Sequence, residues 1–279
     1  MNKLRKIIII SFITCVMLTN ICSLYAASTP SIEAVKFQGH SSKTDNSGRF
    51  YLMPYSPDES TNNCYVIVEC YVFNNTSNPV VYFDGKKVGT MTPNTRVAKN
   101  YYEMYWNLSK DQYGSALGGP KDFTIKAAGV NGTVGYTKKI YITGGSYLYY
   151  DKYMYNWKKD WNFVAPASKQ YNSLAYVLGK QTWIWPWKNS NGTERDATAK
   201  EVIKYMESQG YKQTSSASGA TIIAYGPSQD KIRHFGYRVS SSQVIHKFKD
   251  LELMSSSSVD AFKYNSGSGI GYPQLYFKK

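Results

Sequence analysis

Between residues 30 and 143 the sequence is a succession of short β-branched and aromatic runs broken by turn residues, with no stretch of helical period. Tyr65 to Phe73 reads as one strand. Pro79 to Phe83 and Lys87 to Met91 flank Asp84-Gly85, and Asp122 to Gly129 and Thr133 to Ile142 flank Asn131-Gly132. Such dipeptides accept the positive φ angles of tight hairpin turns. Consecutive hairpins without helices predict an antiparallel β-sandwich for residues 27–143.

After residue 143 the pattern changes. Gly144-Gly145-Ser146 breaks the last strand, and residues 144–163 carry five tyrosines, two tryptophans and a phenylalanine interleaved with lysines. This stretch reads as a linker whose aromatics pack between two domains; a stacking platform for sugar rings or lipid headgroups is the other reading. Residues 164–279 mix both periods. Leu174, Val177 and Leu178 fall at helical spacing before Gly179, a natural helix stop. Thr193 with Asp196 resembles a capping box opening a helix to Gln209. Strands are expected at Ala220 to Tyr225, Ile232 to Val239, Leu251 to Met254 and Gln274 to Phe277. Helices followed by strands predict an α+β domain.

Lys3, Arg5 and Lys6, an apolar run from Ile7 to Leu18 and small residues at Ala26-Ala27 form the pattern of a cleaved secretory signal over residues 1–26. A secreted product is therefore expected, with no stable membrane span. Of the formal +14 charge, removal of those three cations leaves +11. Outside the cell this excludes nucleic acid as the natural partner and favours anionic cell-wall polymers or glycans at the cell surface. Two cysteines remain, Cys64 and Cys70. Six residues apart on a straight strand they stand about 20 Å apart, beyond disulfide reach. No metal-ligand spacing, phosphate loop or dinucleotide fingerprint is present, so no cofactor is expected; the glycines from Ser266 to Gly271 read as a turn.

The informative segment is Tyr171-Asn172-Ser173-Leu174-Ala175-Tyr176-Val177-Leu178-Gly179, followed by Trp183-Ile184-Trp185-Pro186-Trp187 and later by His234 in Ile232-Arg233-His234-Phe235. On its own, Asn172-Ser173 is a helix cap. The segment resembles a group of secreted bacterial proteins with a Y-N-C-L-A-Y-A-L-G motif before W-x-W-P-W. That group in turn resembles the papain-like cysteine hydrolases. In the first half, Val80 to Gly89 resembles a hairpin of bacterial immunoglobulin-like domains. The resemblance implies an immunoglobulin-like sandwich followed by a papain-like domain. Ser173 then stands in the nucleophile place, His234 in that of the base, and a further histidine is expected after Leu251 to Met254, where Ser255 to Ser258 stand instead. His246 reads as an exposed surface residue. Asn172, Trp183, Trp185 and Trp187 are candidate ligand-binding residues; for the tryptophans a rigid plug holding the loop is the other reading.

The residue type matters. A thiol ionises near neutral pH beside a helix start and a histidine. A hydroxyl stays protonated there and needs a true general base oriented by an acid. Serine at position 173 therefore implies a non-catalytic domain, or a cysteine that has been replaced. A working peptidase or amidase built on Ser173 and His234, and a wall- or glycan-binding adhesion protein, are the alternatives.

Overall fold

The computed structural model describes residues 28–38, 42–45, 47–53, 64–108, 119–263 and 269–279. Residues 1–26, read as a secretory signal, with Cys15 and Cys22, His40, and Ser266 to Ser268 of the turn read at Ser266 to Gly271 lie outside the described residues. Among the described residues the fold is β-rich, with three sheets. Its compact units do not follow chain order. One takes the residues up to Lys36 with Val68–Tyr105 and Asp122–Lys138; the other takes Phe37–Ile67, Trp106–Lys121 and Lys139–Lys279.

The first unit is built on strands. β1 (Ser31–Gln38), β4 (Cys64–Phe73), β8 (Tyr101–Leu108) and β7 (Thr92–Pro93) form a sheet in the order β1-β4-β8-β7. β9 (Lys121–Gly129), β5 (Val80–Phe83) and β6 (Lys86–Thr90) are antiparallel neighbours. The β5–β6 turn has Asp84 at φ 51° and Gly85 at φ 76°, the two positive angles the sequence anticipates. Alternate residues face inward, so Val68, Cys70 and Val72, Val81 and Phe83, and Phe123, Ile125 and Ala127 are all buried. β4 runs unbroken from Cys64 to Cys70, which keeps the two cysteines at strand distance. The Cys70 thiol is free and packs 3.6 Å from Met91 Sδ. Burial pushes it up to about 12, so it is inert.

The second unit holds the site. Its sheet has the order β11-β16-β15-β14-β13-β17-β12, every pair antiparallel. The strands are β11 (Trp161–Ala165), β12 (Lys212–Thr214), β13 (Ile222–Gly226), β14 (His234–Ser240), β15 (Gln243–Lys247), β16 (Leu253–Ser256) and β17 (Tyr272–Lys278). β13 is apolar throughout and buried on both faces, as a central strand covered on two sides must be. Ile222 and Ala224 meet Leu174 and Val177 of α3 (Ser173–Val177) and Val202 and Met206 of α4 (Ala199–Ser208). Ile223 and Tyr225 meet a second cluster with Tyr150 of α1 (Tyr147–Tyr153) and Trp157 of α2 (Trp157–Asp160).

Two readings change here. The capping box of α4 is Thr198 with Glu201, not Thr193 with Asp196; Thr193 instead bonds Asn189 and Asn191 in a turn. The residues read as an aromatic linker form α1, α2 and β11 of the second unit, and Tyr150, Met154, Trp157, Trp161 and Phe163 are buried in its core. Apolar area on that scale is stabilising only when removed from water.

That core also recruits a segment far upstream. β3 (Phe50–Leu52) pairs with β2 (Ser42–Thr44) and, in parallel, with the end of β10 (Gly132–Ile142). Tyr51 stacks on Phe163 at 4.3 Å and on Tyr141 at 5.0 Å. Lys43 donates to Trp161 O and Arg49 to Val164 O. Both cations thus satisfy carbonyls of β11, the edge strand, which lack a ladder partner on that side. Among the described residues no helix is long and apolar enough to cross a membrane.

Candidate functional site

A cleft of about 500 Å³ opens in the second unit, lined by Asn172, Ser173, Trp183, Trp185 and His234, with Tyr149, Tyr153, Phe248 and Ile270 also facing it. Ser173 and His234, more than 60 residues apart in sequence, therefore share one cavity. α3, which Ser173 opens, packs on β14, which His234 opens.

Asn172 is the N-cap of α3. Its Oδ1 accepts from Ala175 N at 3.0 Å, and its Nδ2 donates to Ile184 O at 2.8 Å. Both ends of the amide are engaged, so Asn172 shapes the site by tying the helix to the tryptophan loop rather than by offering a polar group to a ligand. α3 has only five residues. Its macrodipole is correspondingly small, so the helix start offers little support to charge developing at residue 173.

His234 is buried at the wall of the cleft. Its ring lies over Phe248 at 5.2 Å and against Phe262 at 5.3 Å. Burial, and then the positive charge of Lys247, lower it to about 3. It is a neutral imidazole at physiological pH. Its Nε2 meets His246 Nδ1 at 3.2 Å, and His246 Nε2 meets Ser256 Oγ at 3.2 Å. His246, read from the sequence as an exposed residue, is instead completely buried against Trp161 and Phe262. Burial, and then His234, hold it well below the usual histidine range.

The direction of this chain follows from counting protons. Ser256 has one hydroxyl hydrogen and donates it to Ser258 O at 2.7 Å. Its oxygen therefore accepts from His246 Nε2–H. His246 Nδ1 is then the lone-pair nitrogen and accepts from His234 Nε2–H. That leaves His234 Nδ1 as the basic nitrogen, the tautomer a general base needs. The chain ends on a hydroxyl and a peptide carbonyl. No carboxylate stands at its end to stabilise an imidazolium, and the Lys247 ammonium acts against one. Gly236 makes room for it: a Cβ there would fall 2.8 and 2.9 Å from His246 Cε1 and Nδ1.

Lys247 is itself buried, its Nζ donating to Ser168 O at 2.8 Å and Leu251 O at 2.7 Å. Burial lowers it to about 8, against the opposing pull of Glu252 and Asp250. Glu252 accepts from Gly144 N and the Tyr150 hydroxyl, and burial raises it.

Of the three tryptophans, Trp183 and Trp185 face the cleft and Trp187 does not. Trp187 is buried on Phe235 and Tyr205, because the residue after Pro186 turns into the α4 side of the core. Trp183 Nε1 donates to Glu194 Oε1 at 2.8 Å, and Trp185 Nε1 donates to Arg195 O at 2.9 Å. Arg195 is clamped on Glu201. Its guanidinium and then the Thr198 N–H hold that carboxyl at about 2. Arg233 pairs with Asp196 at 2.9 Å and donates to Gly269 O at 3.0 Å. These charged residues were silent in the sequence because nothing in their spacing links them.

The comparisons meet the chain at this half. Residues 162–278 match a family described as a domain of unknown function, DUF7689. No curated protein and no solved structure matches the chain. The matched span carries Ser173, His234, His246, Ser256 and the tryptophan loop. It leaves out α1, α2, β2 and β3, which complete the core behind them. Among the described residues no group of three or more His, Cys, Asp or Glu side chains could hold a metal ion.

Proposed function

We propose that this chain is a secreted, two-domain bacterial surface protein: an immunoglobulin-like sandwich followed by a papain-like domain. That second domain binds a ligand in its cleft without hydrolysing it. Ser173 occupies the nucleophile place and His234 the base place. The observation that carries the reading is the hydrogen-bond chain from His234 through His246 and Ser256 to Ser258 O. It holds His234 in the tautomer of a base but gives its conjugate acid nothing to rest on. Attack by a serine hydroxyl requires the histidine to take the proton and carry the charge, supported by a carboxylate. In a buried aromatic cage beside an ammonium, that charge is strongly disfavoured. Ser173 and His234 line one cleft, as an acyl-transfer pair would, but His234 lacks the counter-charge such a pair needs. Anionic wall polymers or glycans are the partners that suit the charge. Residues 139–279 hold 19 Lys and Arg against 10 Asp and Glu, so the excess lies in the half that carries the cleft.

The competing reading, a working serine peptidase or amidase, draws on the basic Nδ1 of His234. A fluorophosphonate probe separates the two. We expect no label on Ser173 after hours at pH 7.5, with peptide mapping as the readout. Stoichiometric labelling of Ser173, abolished by His234→Ala, would establish the hydrolase instead.

A further inference from the structure

The rim of the cleft points to the chemistry of its ligand, an inference that rests on reading the cavity as a binding site. Trp183 is 41% exposed, a high value for the residue type with the largest apolar surface. Its orientation is nonetheless fixed. Glu194 Oε1 takes its indole N–H, and Lys188 holds Glu194 from the other side at 3.5 Å. Trp185 is anchored by Arg195 O. The loop thus presents a preset flat face to the cavity rather than a mobile side chain. Around that face stand carboxylates already held in pairs. Asp196 uses Oδ2 on Arg233, and Glu194 uses Oε1 on Trp183 and Lys188. Among the described residues no group takes Asp196 Oδ1 or Glu194 Oε2, and both side chains are partly open to water. Arg233 is fixed by Asp196, and Arg195 by Glu201.

A rigid aromatic face beside oriented carboxylate acceptors complements a molecule with one apolar face and an edge of hydroxyls. We infer that Trp183 and Trp185 form a saccharide platform, on which a pyranose ring stacks while its hydroxyls donate to Asp196 Oδ1 and Glu194 Oε2. A peptide backbone offers one N–H donor per residue, spaced along the chain, whereas a pyranose edge presents adjacent hydroxyls that reach both carboxylates at once. Prearranged groups lose little freedom on binding, which favours affinity.

The test is tryptophan fluorescence of the full mature chain titrated with chitotetraose, with maltotetraose and with tetra-alanine. A saturable change is expected with at least one of the two saccharides and none with the peptide. Trp183→Ala should weaken the saccharide at least tenfold. Trp183→Phe should retain part of the affinity, and Asp196→Asn should lose severalfold. Circular dichroism unchanged in Trp183→Ala confirms that the fold is kept. Failure of both saccharides to bind, or binding indifferent to Trp183→Ala, overturns the platform. Saccharide binding is independent of the Ser173–His234 pairing. The platform can therefore fail while the non-hydrolytic site stands, and fluorophosphonate labelling can overturn that site while the platform stands.

Discussion

Tyr51→Ala is expected to unfold the site-bearing unit more readily by about 3–5 kcal/mol, the range for losing a large buried aromatic. The residue is 121 positions upstream of Asn172 in sequence, yet its ring is 1% exposed and sandwiched between Phe163 and Tyr141. Its hydroxyl has no hydrogen-bond partner among the described residues. Tyr51→Phe should therefore be neutral or slightly stabilising, because it removes an unsatisfied buried group. Five of the six tryptophans, all but Trp106 on β8, lie within Lys139–Lys279, so urea unfolding followed by tryptophan emission reports chiefly the second unit. A midpoint shift in Tyr51→Ala no larger than in Tyr51→Phe would show that the upstream segment is not part of the core. The same reasoning predicts that residues 162–278 by themselves do not make a stable domain, since they lack the groups that cover β11.

Acid should destabilise the second unit steeply. In the unfolded chain His234 and His246 take protons near 6.5. In the folded protein His234 resists until about 3 and His246 is held well below its ordinary range, both chiefly by burial. Between those limits the unfolded chain binds more protons, so stability is full above about pH 6.5 and falls as the pH drops toward the folded values. The slope is about 1.4 kcal/mol per pH unit for each histidine. Glu201, held at about 2 by Arg195 and Thr198, acts in the same direction below its ordinary range. Glu252, raised by burial, acts the other way above its ordinary range and softens the onset. Urea midpoints measured at pH 7, 6, 5 and 4 should fall at each step, and His246→Asn should flatten the series. A midpoint constant from pH 7 to 4 would mean the histidines are solvated or charged in the folded state.

Much of the first unit was legible because its signals are local. A strand such as β4 is written in its own alternation, and Asp84-Gly85 specifies its turn by the φ angles it tolerates. The helix carrying Ser173 was legible for the same reason, with Asn172 as its cap and Gly179, at φ +68°, as its stop. The parts that were misread depend on distant partners. Residues 144–163 look like a linker until Tyr51, Val244 and Met254 supply the other side of a core. Thr193-x-x-Asp196 and Thr198-x-x-Glu201 compete on equal terms in sequence. The second wins because Glu201 reaches both the Thr198 N–H and Arg195.

His246 left a usable trace. Val244, His246 and Phe248 alternate, which places the histidine between two inward apolar residues on a strand. Its register opposite Gly236, two residues from His234, is a tertiary fact that no local pattern contains. Ser256 is less readable still. Within a run of four serines nothing marks it as the one beneath His246.

On the proposed reading, residue 173 and His234 form a pair whose chemistry is limited by the hydroxyl and by the missing counter-charge. The most direct measurement is the alkylation rate of Ser173→Cys by iodoacetamide against pH, with and without His234→Ala. A thiol at position 173 that reaches His234 Nδ1 would gain a partner for its anionic form, since thiolate and imidazolium stabilise each other. The account predicts alkylation at pH 7 well above that of buried Cys70, and a slowing of about tenfold or more in the His234→Ala background. An ordinary thiol profile near about 8.5, unchanged when His234 is removed, would contradict it.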